Sequence, residues 1–323
     1  MVQASVAFAG RRGGLPAALN VLLAIFHIAA NVLQFIVLPF WLLPANSSCG
    51  WILAPLALLT NPFWSLIHEA IHDLLHSSKA VNEFFGRALA ILFGSSFRIL
   101  RTSHLLHHKL NRMPLEGTEY YDREKNSKAA AAPGYYFQIL LGLYLVQISS
   151  PVFALLPRKW LEKLRQRFVP PHSISSMLMH NWLSVDVLRE IRHDGLLTVV
   201  WLSTALYLYG RYWPMLLGIL LARGILISFL DNVYHYGTPV SDVFFAKNLR
   251  LPPGLGPLLL HFNLHGIHHI NPAISWINLP HAFEVQGGRY QDGYFAAALL
   301  QLQGPIALQD LPEGEAVLHL RPF

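Results

Sequence analysis

Residues 51–76 read WILAPLALLTNPFWSLIHEAIHDLLH. The stretch is apolar for long enough to cross a bilayer, which takes about 20 residues. Its last turns carry His68, Glu69, His72, Asp73 and His76. A span that ends in histidines sets ionisable side chains at a membrane surface, where such groups are expensive and mark function. Similar apolar runs occur at 17–43, 196–209 and 212–234, the last two forming a hairpin. With 51–75 they make four expected transmembrane helices, so the expected fold class is all-α and polytopic, a single domain over 1–323. Two further stretches are apolar but interrupted. Gly86, Arg87 and Gly94 break 81–100, and Gln138, Gln147, Ser149, Ser150 and Pro151 break 135–156. Both are expected to lie in the membrane interface.

The bulk composition agrees. Of the 323 residues, 53% are hydrophobic and 13% charged, about half the charge of an ordinary soluble domain. The net charge of +6 reads as an orientation signal rather than a nucleic-acid footprint. Residues 44–50 hold no Lys or Arg, the turn near Arg211 holds one, and the segment 77–195 holds sixteen. The positive-inside rule then puts both termini and the long segment in the cytoplasm. Arg11 and Arg12 precede an apolar run too long for a signal-peptide core, so a first span is expected there instead. Cys49 is the single cysteine, which excludes an internal disulfide and thiolate metal sites.

Histidine is the unusual residue: there are 17, against 18 acidic residues. They gather as His68-Glu69-Ala70-Ile71-His72 with His76 one turn on, as His104-Leu105-Leu106-His107-His108, and as His265-Gly266-Ile267-His268-His269. His235 ends the fourth expected span. On a helix, residues three and four apart share a face, so each cluster can aim two or three imidazoles at one point. One ion cannot use eight or nine imidazoles, so two adjacent ions are implied. Any one histidine is more often a packing residue than a ligand. Ten of 17 lying in these clusters or at His235, on one expected side of the membrane, defeats that reading for the ensemble. His76 fits less well than His68 and His72, because three ligands at i, i+4 and i+8 strain a single site. His27, His172, His180, His193, His261, His281 and His319 keep the packing reading.

At these residues the chain resembles the membrane fatty acid desaturase superfamily, whose members carry HxxxH or HxxxxH, then HxxHH, then HxxHH. Here the boxes read HEAIH, HLLHH and HGIHH, in that order. His268-His269-Ile270-Asn271-Pro272, with Trp276, Leu279 and Pro280, is similar to the tail that follows the third box. The likeness covers about 51–280. It implies four membrane helices under a cytoplasmic helical cap. It implies two iron ions that use O2 to remove hydrogen from an unactivated C–H bond of a lipid or fatty acyl chain. Carried over by position, the metal ligands are His68, His72, His104, His107, His108, His235, His265, His268 and His269. Glu69, Asp73 and Asp231 are the carboxylates placed to orient them. Electrons are expected from a separate donor of the ferredoxin or cytochrome b5 type, because no HPGG haem motif is present.

There are departures from the pattern. The first box lacks the glycine of HECGH-type members, and Asn111, Arg112, Glu116 and Glu119 form an unusual run after the second. The reaction outcome therefore stays open between desaturation, oxidative decarboxylation of free fatty acids to terminal alkenes, and hydroxylation or ketolation of lipids or carotenoids. Two readings come from other classes. His68-Glu69-Ala70-Ile71-His72 is also HExxH, the zinc-protease arrangement of two ligands and a general base, but it leaves both HxxHH clusters idle. A haem carrier needs paired histidines on facing spans, whereas these sit at span ends and outside.

Overall fold

The computed structural model describes residues 14–117 and 119–312. Arg11, Arg12 and His319 lie outside the described residues, as does the side chain of Gln147. The described chain is mostly helical. Helix α1 runs Ala17–Ala45. It widens to a π-helix over Leu33–Leu42, where Pro39, with no N–H to donate, enters the ladder. Helices α2 (Ser47–Leu58) and α3 (Thr60–Ile71) are bent by 43° at Leu59. The bend has a local cause, since Pro62 cannot donate to the Leu58 carbonyl. Helix α3 stops short of the expected boundary at residue 75, because Asp73 takes φ 59° and the chain turns away.

Helices α4 (Lys79–Phe93) and α5 (Phe97–Leu110) divide the expected interfacial stretch at Gly94, whose φ of 105° closes α4. Gly86 is a close-approach glycine: a Cβ there would sit 2.6 Å from the Phe97 ring. Arg87 reaches buried Asp194, which also accepts from Ser96 Oγ and from the Phe97 N–H. One carboxylate thus caps the start of α5 and ties it to α4.

Helix α6 (Lys128–Leu155) is followed by the basic helix α7 (Arg158–Phe168), by α8 (Ile174–Trp182), α9 (Val185–Tyr209) and α10 (Trp213–Asn232). The expected interfacial stretch 135–156 falls within α6, one 28-residue helix that packs on both α9 and α10. The short helix α11 (His265–Ile270) and helix α12 (Leu279–Val285) carry and support the third histidine cluster. Two two-residue parallel strand pairs, Tyr120–Tyr121 with Ile306–Ala307 and Leu249–Arg250 with Asp292–Gly293, pin the C-terminal segment to earlier loops.

Two helical stretches, Ala17–Ala45 and Val185–Asn232, are long and apolar enough to cross a membrane, and the bent pair α2–α3 makes a third. The 48 residues of Val185–Asn232 would measure about 70 Å if straight, over twice a bilayer core. They are broken at Gly210 (φ 49°, ψ −119°), and α9 and α10 pack against each other. Trp41, Trp51, Tyr207 and Trp213 are all exposed near the breaks after α1 and α9, as interfacial aromatics are. Buried Arg223, midway along α10, donates to Asn31 and Gln34 of α1 and lies over the Phe35 ring. This contact locks the two helices together.

Candidate metal centre

The histidines converge from four directions. His68 and His72 lie at the end of α3, where His72 is the residue at which the helix stops. His104, His107 and His108 occupy the last two turns of α5. His235 lies in the turn after α10, its carbonyl accepting from Thr238 Oγ1. His265, His268 and His269 make up half of α11. All nine are brought together and form two groups, within each of which one nitrogen per residue lies within 4.8 Å of the others. The first group is His68, His72, His104, His108 and His268, and the second is His107, His235, His265 and His269. The groups abut, with the His108 and His269 rings stacked at 4.4 Å.

Helical geometry explains the division. In HxxHH the first and last histidines are i, i+4 and nearly eclipsed, whereas the last two are about 100° apart. Each cluster therefore straddles both groups rather than serving one point. The second box gives His104 and His108 to one group and His107 to the other, and the third gives His268 to the first group and His265 with His269 to the second.

The donor spacing tests whether the residues fit a metal. His104 Nε2 is 3.0 Å from His72 Nε2, and His108 Nε2 is 3.0 Å from both His104 Nε2 and His268 Nε2. In the second group His265 Nε2 and His269 Nε2 are 3.1 Å apart. With imidazole–metal bonds of about 2.1 Å, right-angled ligands lie about 3.0 Å apart and tetrahedral ones about 3.4 Å apart. The spacing fits an octahedral edge. His68 Nε2 is buried with no hydrogen-bond partner, as a nitrogen reserved for a metal would be. Burial, reinforced by neighbouring imidazoles, lowers the pKa of His104, His235, His265, His268 and His269 well below the usual value and that of His108 to about 2. These rings are held in the neutral, ligating form. At His107 burial also acts to lower the pKa, but Glu116, with help from Asp231, outweighs it and raises the value.

The supporting carboxylates differ from the sequence expectation. Glu69 accepts from the Trp276 N–H at 3.2 Å, tying the first box to the chain beyond the third. Asp73 pairs with Arg101 and accepts from Asn82. Asp231 lines a cavity beside His107. The carboxylate found hydrogen-bonded to a cluster imidazole is Glu116, with Oε1 2.7 Å from His107 Nδ1. Its signal in the sequence was the acidic residue nine positions after His107, across a turn whose course spacing alone does not give. His76 belongs to neither group, and its Nδ1 accepts from the Ser78 N–H. His27 stacks on Phe63, and His261 on Trp276. His172, His180, His193 and His281 also stand outside both groups.

Asn111 and Arg112 clasp the two halves of the centre. Asn111 Nδ2 donates to the Val243 and Phe245 carbonyls. Arg112 donates to the Thr238 and Pro239 carbonyls and pairs with buried Glu119. The second box is thereby fastened to the turn that carries His235. Beside the second group lies a cavity of about 540 Å3, bounded by α6 and α10.

A family model described as fatty acid desaturase matches residues 47–296. That range contains all three histidine boxes and His235. A comparison with curated proteins found no match.

Proposed function

The chain belongs to the fatty acid desaturase family, and from that premise we propose that it is a membrane enzyme using two irons and O2 to oxidise an unactivated C–H bond of a fatty acyl chain, in the manner of a desaturase. The observation that carries the reading is the division of nine buried or half-buried imidazoles into adjacent groups of five and four. Five converging nitrogens, four of them linked by 3.0 Å right-angled spacings, exceed the four that tetrahedral zinc takes and suit an octahedral redox metal. The five-histidine group would hold one iron and the four-histidine group the other. Bound iron supplies the oxidising power that O2 chemistry needs. The residues of the chain do the rest: they keep the imidazoles neutral, fix their directions and shut water out of the centre.

We read the membrane arrangement as four spans, with α9 and α10 folded into a hairpin at Gly210. The histidine end then faces the cytoplasm, together with the basic segment 77–195. A separate electron donor of the ferredoxin or cytochrome b5 type is part of this reading. The zinc-protease alternative would leave both HxxHH clusters idle, and one oxygen of its general base, Glu69 Oε2, already accepts from the Trp276 N–H.

The test is to feed perdeuterated dodecanoic acid to cells expressing the protein and to analyse lipids and headspace by mass spectrometry. An acyl chain of unchanged length lacking two deuteriums is the expected product. A labelled hydrocarbon one carbon shorter, with a terminal double bond, would replace desaturation by oxidative decarboxylation. A hydroxylated chain would make the enzyme a hydroxylase. No labelled product at all would reject the acyl reading and turn the search to isoprenoids.

A further inference from the structure

The cavity beside the second histidine group has two unlike ends. On α10 and the turn after it, Ile227, Asp231 and His235 recur every four residues and line one wall over about 12 Å. On α6 the opposite wall is Gly134, Gln138, Gly142 and Leu145, again one helical face. The two helices run in opposite senses, for Tyr135 packs on Tyr236 while Tyr144 Oη accepts from the Gly224 N–H. Gly142, Leu145, Ile227 and Ser228 therefore share the end far from the histidines, and that end is apolar apart from the Ser228 hydroxyl. Exposed Phe137 and Leu145 flank the opening on the outer surface of the bundle.

The other end adjoins His107 and His235 and is polar, lined by Asn111, Arg112, Glu116 and Glu119. It is also closed. Arg112 and Glu119 are both buried and paired, and Arg112 is further held by two carbonyls. A chain cannot run on past the metal centre through this plug, so one terminus of the substrate must lie at the centre. A hydrocarbon terminus there would cover charged groups and give them no hydrogen bond, which is costly. Glu116 Oε2 is buried and lacks a hydrogen-bond partner, so it calls for a donor on whatever fills the cavity.

We propose that the acyl substrate binds end-on, with its polar, hydrogen-bond-donating end at the second histidine group and its tail between α6 and α10. This rests on the reading of acyl oxidation above and deepens it. The ligand class is a single-chain acyl compound with an O–H or N–H at its head, such as a fatty acid in its acid form. Oxidation then falls within the first few carbons of the head rather than in mid-chain. The tail enters sideways from the bilayer, past Phe137 and Leu145.

Two photoreactive dodecanoic acids test this on the full-length, iron-loaded protein in lipid bilayers without O2. One carries a diazirine near the carboxyl group and the other near the methyl end, and labelled peptides are mapped by mass spectrometry. The head probe is expected to label 107–119 or 231–235, and the tail probe 137–145 or 224–228. Unlabelled dodecanoic acid should compete with both, and Gly142→Leu should weaken tail labelling while sparing head labelling. Reversed labelling, coincident labelling, or labelling that dodecanoic acid does not compete with would overturn the orientation. The expected pattern without any oxidised product in the feeding experiment would keep the orientation and reject the reaction, whereas reversed labelling with product would do the opposite.

Discussion

Glu116 holds His107 from outside the proposed metal centre: its Oε1 lies 2.7 Å from His107 Nδ1, and the ring's neighbours belong to the four-histidine group. A carboxylate in this position fixes which nitrogen of the ring faces the metal and makes the ring a better donor. Glu116→Ala should therefore weaken iron retention about 10- to 100-fold, while Glu116→Gln, which keeps an acceptor, should weaken it less. Competition with a chelator, followed by iron analysis, measures both. Equal retention by wild type and Glu116→Ala would show that the contact has no bearing on the metal.

The two groups should empty differently from the histidines outside them. His107→Ala and His268→Ala remove one ligand from each group and should abolish product formation and lower iron content. His172→Ala and His319→Ala should leave both unchanged. Full activity in the His268→Ala protein would sink the ligand assignment.

Gly266 sits inside the third box where no side chain fits. A Cβ there would lie 2.4 Å from the Ala246 carbonyl oxygen and 2.9 Å from Asn248 Nδ2. Asn248 Oδ1 in turn accepts from the Ile267 N–H and so holds α11 in place. Gly266→Ala should push α11 off this anchor and lower iron content as strongly as loss of a ligand, although no ligand is touched. Iron analysis of the purified variant decides it, and wild-type iron content would show that α11 tolerates the shift.

Asp194 caps α5 and pairs with Arg87 from within α9. Asp194 is buried but Arg87 is partly exposed, so removing the carboxylate forfeits charge-assisted hydrogen bonds worth about 1.5–3 kcal/mol. Asp194→Ala should accordingly lower the midpoint of thermal unfolding in detergent by several degrees, and Asp194→Asn by less. An unchanged midpoint in Asp194→Ala would mean that α5 is held by its packing alone.

Spacing made eight of the nine histidines legible, because HxxxH and HxxHH on a helix present imidazoles in bulk whatever the tertiary fold; His235, alone at the end of a span, came from the family resemblance. Spacing did not show that each HxxHH divides between two points, although the 100° between adjacent residues contains that result. The break at Gly94 was visible as a residue type, while its consequence, a helix end at φ 105°, came from the structure, as did the 43° bend that splits the expected span 51–75. Arg87 counted as an interruption in the sequence, and in the fold it is matched by Asp194, 107 residues away. Glu116 stood out in the sequence as part of an unusual run, but its role toward His107 was missed for the same reason. Its approach to His107 depends on a turn pinned by Asn111 and Arg112 to residues 238–245, and no local pattern encodes such long-range partners.

Two histidine groups side by side should hold two irons. Metal analysis of the purified protein, set against its concentration from amino-acid analysis, tests this most directly. Two irons per chain is the predicted result. Zinc in their place, or a single iron per chain in fully loaded protein, would rule out a two-iron centre.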